Sequence, residues 1–89
     1  MDHFYFSCHF EGRQWRLRAV IYANEYLFLY EVEPEDRLLR ERYGIKFITQ
    51  PKDGLLDVRC SNSLRQHEMY EQAILLALME YLTDGMLFP

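Results

Sequence analysis

The 89-residue chain has no glycine-rich phosphate loop: its four glycines are scattered, and none falls in a GxGxxG or GxxxxGK run. It has only two cysteines, Cys8 and Cys60, which excludes a disulfide framework and leads us to expect reduced thiols in a cytoplasmic protein. Its longest apolar stretch, Ala73–Met79, is far short of the ~20 residues that span a bilayer. No charged segment precedes an apolar run at the N-terminus, so neither a membrane anchor nor a secretory signal is expected. Basic residues are outnumbered, ten Lys and Arg against fourteen Asp and Glu, for a formal charge of −4. Such a balance gives no long-range attraction to nucleic acid or to anionic lipid. Aromatic side chains, by contrast, make up 16% of a chain that is 49% apolar. Each buries about 150–250 Å², enough to build a core in a short chain. One domain spanning residues 1–89 is therefore expected, with no repeats and no low-complexity segment.

The first third reads as three strands, at about 3–10, 13–22 and 25–33. In the first, Phe4, Phe6, Cys8 and Phe10 alternate with His3, Tyr5, Ser7 and His9. In the second, Trp15, Leu17, Ala19 and Ile21 alternate with Gln14, Arg16, Arg18 and Val20. In the third, Tyr26, Phe28, Tyr30 and Val32 alternate with Leu27, Leu29, Glu31 and Glu33. A two-residue turn at Glu11-Gly12 sets Cys8 opposite Trp15, Phe6 opposite Leu17 and Phe4 opposite Ala19. A second such turn at Ala23-Asn24 would set Leu17 opposite Tyr30, Ala19 opposite Phe28 and Arg16 opposite Glu31. All the bulky residues then share one face, and only a loop of different parity would break that pattern.

A short helix is expected at about 34–43, with Pro34 in its first position, Glu35 and Asp36 at its positive end and Gly44 closing it. Strands at about 45–49 and 55–60 follow, joined around Gln50–Gly54, with Ile45 and Phe47 sharing a face with Leu56, Val58 and Cys60. A last helix covers about 63–84, opened by a capping box of Ser63 with Gln66 and closed by Gly85. The order β-β-β-α-β-β-α predicts an α+β fold: a twisted antiparallel sheet with a long C-terminal helix packed on one face.

Several residues invite chemistry. His67, Glu68 and Glu71 form "HEMYE", but a zincin helix needs a second His where Glu71 stands, and no third ligand is nominated. Glu68 and Glu71 read instead as acids favoured at the positive end of a helix. His3 and His9 share a face but lie about 20 Å apart along a strand, so they cannot hold one ion together. Arg13, Arg16 and Arg18 near Trp15 and Tyr5 resemble the basic-aromatic strands that bind single-stranded nucleic acid, yet Trp15 points away from Arg16 and Arg18. Tyr22, Tyr26, Tyr30, Tyr70 and Tyr81 are candidates to line a ligand pocket between sheet and helix, with His67 as its acid or base. Tyrosines at such spacing are more often core residues. No catalytic, cofactor or metal residue is assigned, and no cofactor is expected.

The final helix carries more apolar surface than one sheet can cover. Tyr70, Ala73, Ile74, Ala77, Leu78 and Tyr81 form one side; Leu75, Leu76, Met79 and Leu82 add a second. Tyr5, Val20, Leu27 and Leu29 repeat the surplus on the far face of the sheet. Two covers within the chain are available: Met86, Leu87 and Phe88 folding back over Leu75 and Met79, and the 34–43 helix lying on the far face. Otherwise these eight residues form a protein-interaction surface, most simply in a symmetric homodimer. The element order, size and acidity are similar to those of the sheet-and-helix core of the small dimeric chaperones of type III secretion, without their first helix. Size and acidity are also similar to those of small protein inhibitors from mobile elements. Both resemblances imply a non-enzymatic adaptor, chaperone-like or inhibitor protein.

Overall fold

The computed structural model of the chain describes residues 2–53 and 57–87, with side chains described through residue 84. The fold is α+β. Five antiparallel strands lie in chain order, β1 (Asp2–Phe10), β2 (Arg13–Ala23), β3 (Leu27–Pro34), β4 (Lys46–Pro51) and β5 (Arg59–Cys60). Two helices, α1 (Arg37–Tyr43) and α2 (Glu68–Leu87), pack on one face. No helix among the described residues is long and apolar enough to cross a membrane.

The first hairpin has the expected register, unbroken from Asp2 opposite Ile21 to Phe10 opposite Arg13. Its turn has positive φ at both central residues, 52° at Glu11 and 74° at Gly12, the pair that a two-residue primed turn requires. Glycine takes that conformation freely. Glu11 does not, and its carboxylate accepts a 2.9 Å hydrogen bond from Arg42.

The second hairpin corrects the expected pairing. Ile21, not Leu17, faces Tyr30; Ala19 faces Val32; and Leu17 faces Pro34. The connection is a longer one, Asn24 to Leu27, held by the Asn24 side chain, whose Oδ1 accepts from the amides of Tyr26 (2.8 Å) and Leu27 (2.9 Å). Ala23 pairs with Phe28 and encloses four residues, the same parity as two, so every side chain keeps its face while its partner changes. Glu31 consequently faces Val20, and Arg16 reaches Glu35 at 3.7 Å instead.

The helix boundaries also move. Pro34 is the buried end of β3, and α1 starts at Arg37 behind Asp36, whose carboxylate caps it by accepting from the Leu39 amide at 2.9 Å. Gly44, at φ 67°, closes α1 by donating its N–H to the Arg40 carbonyl at 2.7 Å. Leu39 and Tyr43 of α1 join the same core as α2, so α1 does not cover the far face of the sheet.

Ser63 does not cap α2: a single 3-10 turn at Arg65–His67 precedes Glu68, and its N-cap position is Leu64. Gly85 does not stop α2, which runs on to Leu87. The expected fold-back of residues 86–88 falls on side chains outside the described ones, as does Leu56.

β4 is turned over relative to the sequence reading. Lys46 and Ile48 face the core, Ile45 is exposed and Phe47 lies on the far face. The side chain that makes this possible, Glu71, comes from α2.

Candidate interaction surface

What α2 shows to solvent is decided by what holds it to the sheet. Its N-terminal end is pinned by charge. Lys46 is 1% exposed and Glu71 3%, and their Nζ and Oε2 are 2.7 Å apart. Glu71 also accepts from the Leu64 amide at 3.0 Å and from the Ser63 hydroxyl, and Lys46 Nζ lies 3.0 Å from His67 Nδ1. A lysine can occupy a core-facing strand position only with such a set of partners. Burial pushes the Glu71 carboxyl up, but the hydrogen bonds from Lys46, Ser63 and Leu64 and the Lys46 charge outweigh it and hold the carboxyl below its ordinary value. Glu71 is therefore not a solvated acid at a helix start, as Glu68 is, and His67 Nδ1 neighbours the Lys46 cation. Among the described residues no cluster of His, Cys, Asp and Glu is arranged to hold a metal ion.

Aromatic rings fix the rest of the helix. Tyr70 stacks on Tyr43 at 4.2 Å and meets the edge of Phe10; eleven residues later Tyr81 stacks on Phe4 at 4.5 Å. These contacts run α2 antiparallel along β1, with Tyr70, Ile74 and Leu78 fully buried beneath it. One flank then carries Leu75, Met79 and Leu82, which are half-buried and packed against the core. The helical wheel puts all three with Leu76 on an uncovered side; of the four, only Leu76 is largely free, at 60% exposure.

Leu76 borders two shallow grooves. One, of about 320 Å³, lies between α2 and β1 and is lined by Ser7, Cys8, His9, Ala73, Ala77 and Glu80 among others. The other, of about 450 Å³, continues along α2 past Met79, Glu80, Thr83 and Asp84.

The far face of the sheet is paved rather than bare. Arg16 lies 4.2 Å over the Tyr5 ring, Tyr22 donates to Glu31 at 2.9 Å, and Arg18 reaches Glu33 at 4.0 Å. Val20 is covered to 7% exposure, and Leu27 and Leu29 are half-buried. Of the four apolar residues expected there, Tyr5 alone is exposed, and its ring is engaged. Arg16 and Arg18 both face carboxylates, which weakens the case for a phosphate-binding strand.

No family model, curated protein or solved structure matches this chain. The site therefore has to speak through its own chemistry.

That chemistry offers little reactivity. Burial pushes the Cys8 thiol up to about 11 and raises Cys60 as well, so neither is a ready thiolate near neutral pH. The five tyrosines do not line a common pocket. Tyr22 is on the far face, Tyr26 is in the Asn24 loop, and Tyr30 is buried and donates to Gln50 at 2.6 Å. Tyr70 is sealed in the core, with no hydrogen-bond partner for its hydroxyl among the described residues.

Sequence reasoning missed Lys46. The available signal was a lone lysine inside the strand-like "IKFIT", a position that could point inward only if an acid from elsewhere met it.

Proposed function

We propose that this chain is a non-enzymatic protein-interaction module, a small acidic homodimer of the adaptor, chaperone-like or inhibitor kind, that docks through the Leu76 flank of α2 and the adjoining strand β1. The observation that carries this reading is Leu76 itself. It is a large apolar side chain left 60% exposed between two grooves, while its neighbours Leu75, Met79 and Leu82 on the same helix are partly buried. Ala73 and Ala77 beside it are small, so a second backbone can approach closely there. The unpaired thiols of Cys8 and Cys60 support a reducing, cytoplasmic setting.

Light scattering tests this directly. The unmodified chain is expected at twice its chain mass, and Leu76→Glu at the mass of one chain with an unchanged circular dichroism spectrum. An undiminished dimer in Leu76→Glu overturns the assignment of this surface.

A further inference from the structure

The sheet has two edges of very different character. At one, β5 pairs over two residues, a short edge of the kind that proteins leave open safely. At the other, β1 runs for nine residues with no bulge, no proline and no lysine. Its single charged residue is Asp2, at the extreme end. Long edges normally carry inward charges, prolines or bulges that prevent further pairing, and β1 carries none.

Hairpin geometry says which groups that edge presents. The residues flanking a two-residue turn exchange hydrogen bonds with each other, and the bonded pairs then alternate along the strands. Phe10, Cys8, Phe6 and Phe4 therefore spend their backbone groups on β2. The N–H and C=O groups of His3, Tyr5, Ser7 and His9 point to the free side, where no described strand meets them.

Resting on the dimeric reading above, we infer that a second copy of this chain adds antiparallel to the free edge of β1, about a two-fold axis at Phe6, joining two five-stranded sheets into one. Antiparallel addition that keeps the core faces together must pair even residues with even and odd with odd. Centring on Phe6 gives the longest overlap. His3 then faces His9 of the second copy, Tyr5 faces its Ser7, and the four odd pairs supply about eight backbone hydrogen bonds. On the core face Phe4 meets Cys8 of the second copy and Phe6 meets Phe6. Asp2 falls opposite Phe10, so no carboxylate opposes another. The strand is thus complementary to itself in polarity and in charge.

The helix layer fits the same axis. Tyr70 sits at Phe10 and Tyr81 at Phe4, which puts Phe6 level with roughly residue 77 of α2. Leu76 and Ala77 are thereby brought to the axis, and the groove beside Ser7, Cys8 and Ala73 becomes the seam between the two helices. A strip ~30 Å long and ~20 Å high, one sheet layer plus one helix layer, covers ~600 Å² per copy and ~1,200 Å² in total. That total reaches the lower bound for a stable interface of about 1,200 Å².

Amide hydrogen exchange and a charge swap test the seam. In the unmodified dimer the amides of His3, Tyr5, Ser7 and His9 are expected to be protected at high concentration and to lose protection on dilution, while Phe4, Phe6 and Cys8 stay protected throughout. The double variant His3→Lys/His9→Lys puts lysine opposite lysine in two symmetric pairs, and His3→Glu/His9→Glu does the same with glutamate. Each is expected to weaken dimerisation at least about tenfold, and an equimolar mixture to restore it. The positions face Val20 and Gln14 within the chain, so neither variant sets a like charge directly opposite on its own β2, and the glutamate variant faces Arg16 and Arg18 diagonally with opposite charge.

Free-edge exchange at the odd residues in a sample that scatters as a dimer overturns the seam, even should the variants fail to fold. Lysine and glutamate variants that dimerise as tightly as the unmodified chain overturn it as well. If Leu76→Glu is monomeric while these results hold, the dimer through α2 stands and only the strand pairing falls. A chain that is monomeric at every concentration removes both.

Discussion

The two ends of α2 are attached to the sheet by different physics. At Glu71 the helix is held by a buried ion pair and three further polar contacts, each demanding its geometry. At Tyr81 it is held by a ring stacked on Phe4, whose apolar contact tolerates sliding. The first end fixes the phase of the helix and so decides which residues face out. The second lies beside the grooves around Leu76, where apolar surface is left over. A polar anchor at one end thus leaves the other free to be greasy and exposed without losing its orientation.

The sharpest way to break this contrast is to remove half of the anchor. Glu71→Met strands Lys46 in the core and is expected to cost about 3–5 kcal/mol in urea unfolding. The double variant Lys46→Met/Glu71→Met is expected to recover most of that loss, because an apolar pair of similar volume needs no partners. A single variant that loses under ~1 kcal/mol would place the anchor in solvent and erase the difference between the ends. The next effect lies within the helix. Leu78→Ala, at a position with 0% exposure, is expected to lose about 2–5 kcal/mol, against about 0.5 kcal/mol or less for Leu76→Ala measured at dilution. Equal losses would mean that Leu76 is covered within its own chain.

How far the sequence foretold this depends on whether a local rule or a distant partner decides. The faces of β1 and β2 were legible because alternation and a two-residue turn are local, and the register between them is as the pattern requires. The second register was not, since the Asn24 turn lets Ala23 pair with Phe28, and the four residues enclosed have the same parity as the expected two. β4 was misread because apolar bulk argues for Ile45 and Phe47 inside, and only Glu71, twenty-five residues away, lets Lys46 in. Gly85 looked like a stop, but glycine costs a helix interior only about 1 kcal/mol and ends nothing by itself. The exposure of Leu76 was legible from the helical wheel. The cover over Leu75, Met79 and Leu82 was not, because the wheel places no limit on how far a neighbouring layer wraps.

A smaller effect tests the aromatic end. Tyr81→Leu keeps apolar bulk and deletes the stacked ring, so it is expected to lose about 0.5–1.5 kcal/mol. The same change at the charged end, Tyr70→Leu, removes a ring sealed between Tyr43 and Phe10 and should cost more. If the order is reversed, the C-terminal end is the tighter one.

Acid separates the two ends without any cavity. The Glu71 carboxyl is held below its ordinary value in the fold, so the unfolded chain binds its proton first as pH falls. The stabilisation it supplies is complete above the ordinary carboxylate range near ~4.3 and fades as pH drops through the lower folded value. Urea midpoints of the unmodified chain should therefore decline below about pH 4.5 more steeply than those of Lys46→Met/Glu71→Met, which has no such group to protonate. Protonation also leaves the Lys46 ammonium buried without its counter-charge, so the N-terminal end of α2 should loosen before the Phe4–Tyr81 stack does. Parallel acid profiles for the two proteins would show that the Lys46–Glu71 pair is already neutralised or hydrated at neutral pH. The helix would then take its phase from the aromatic rings alone.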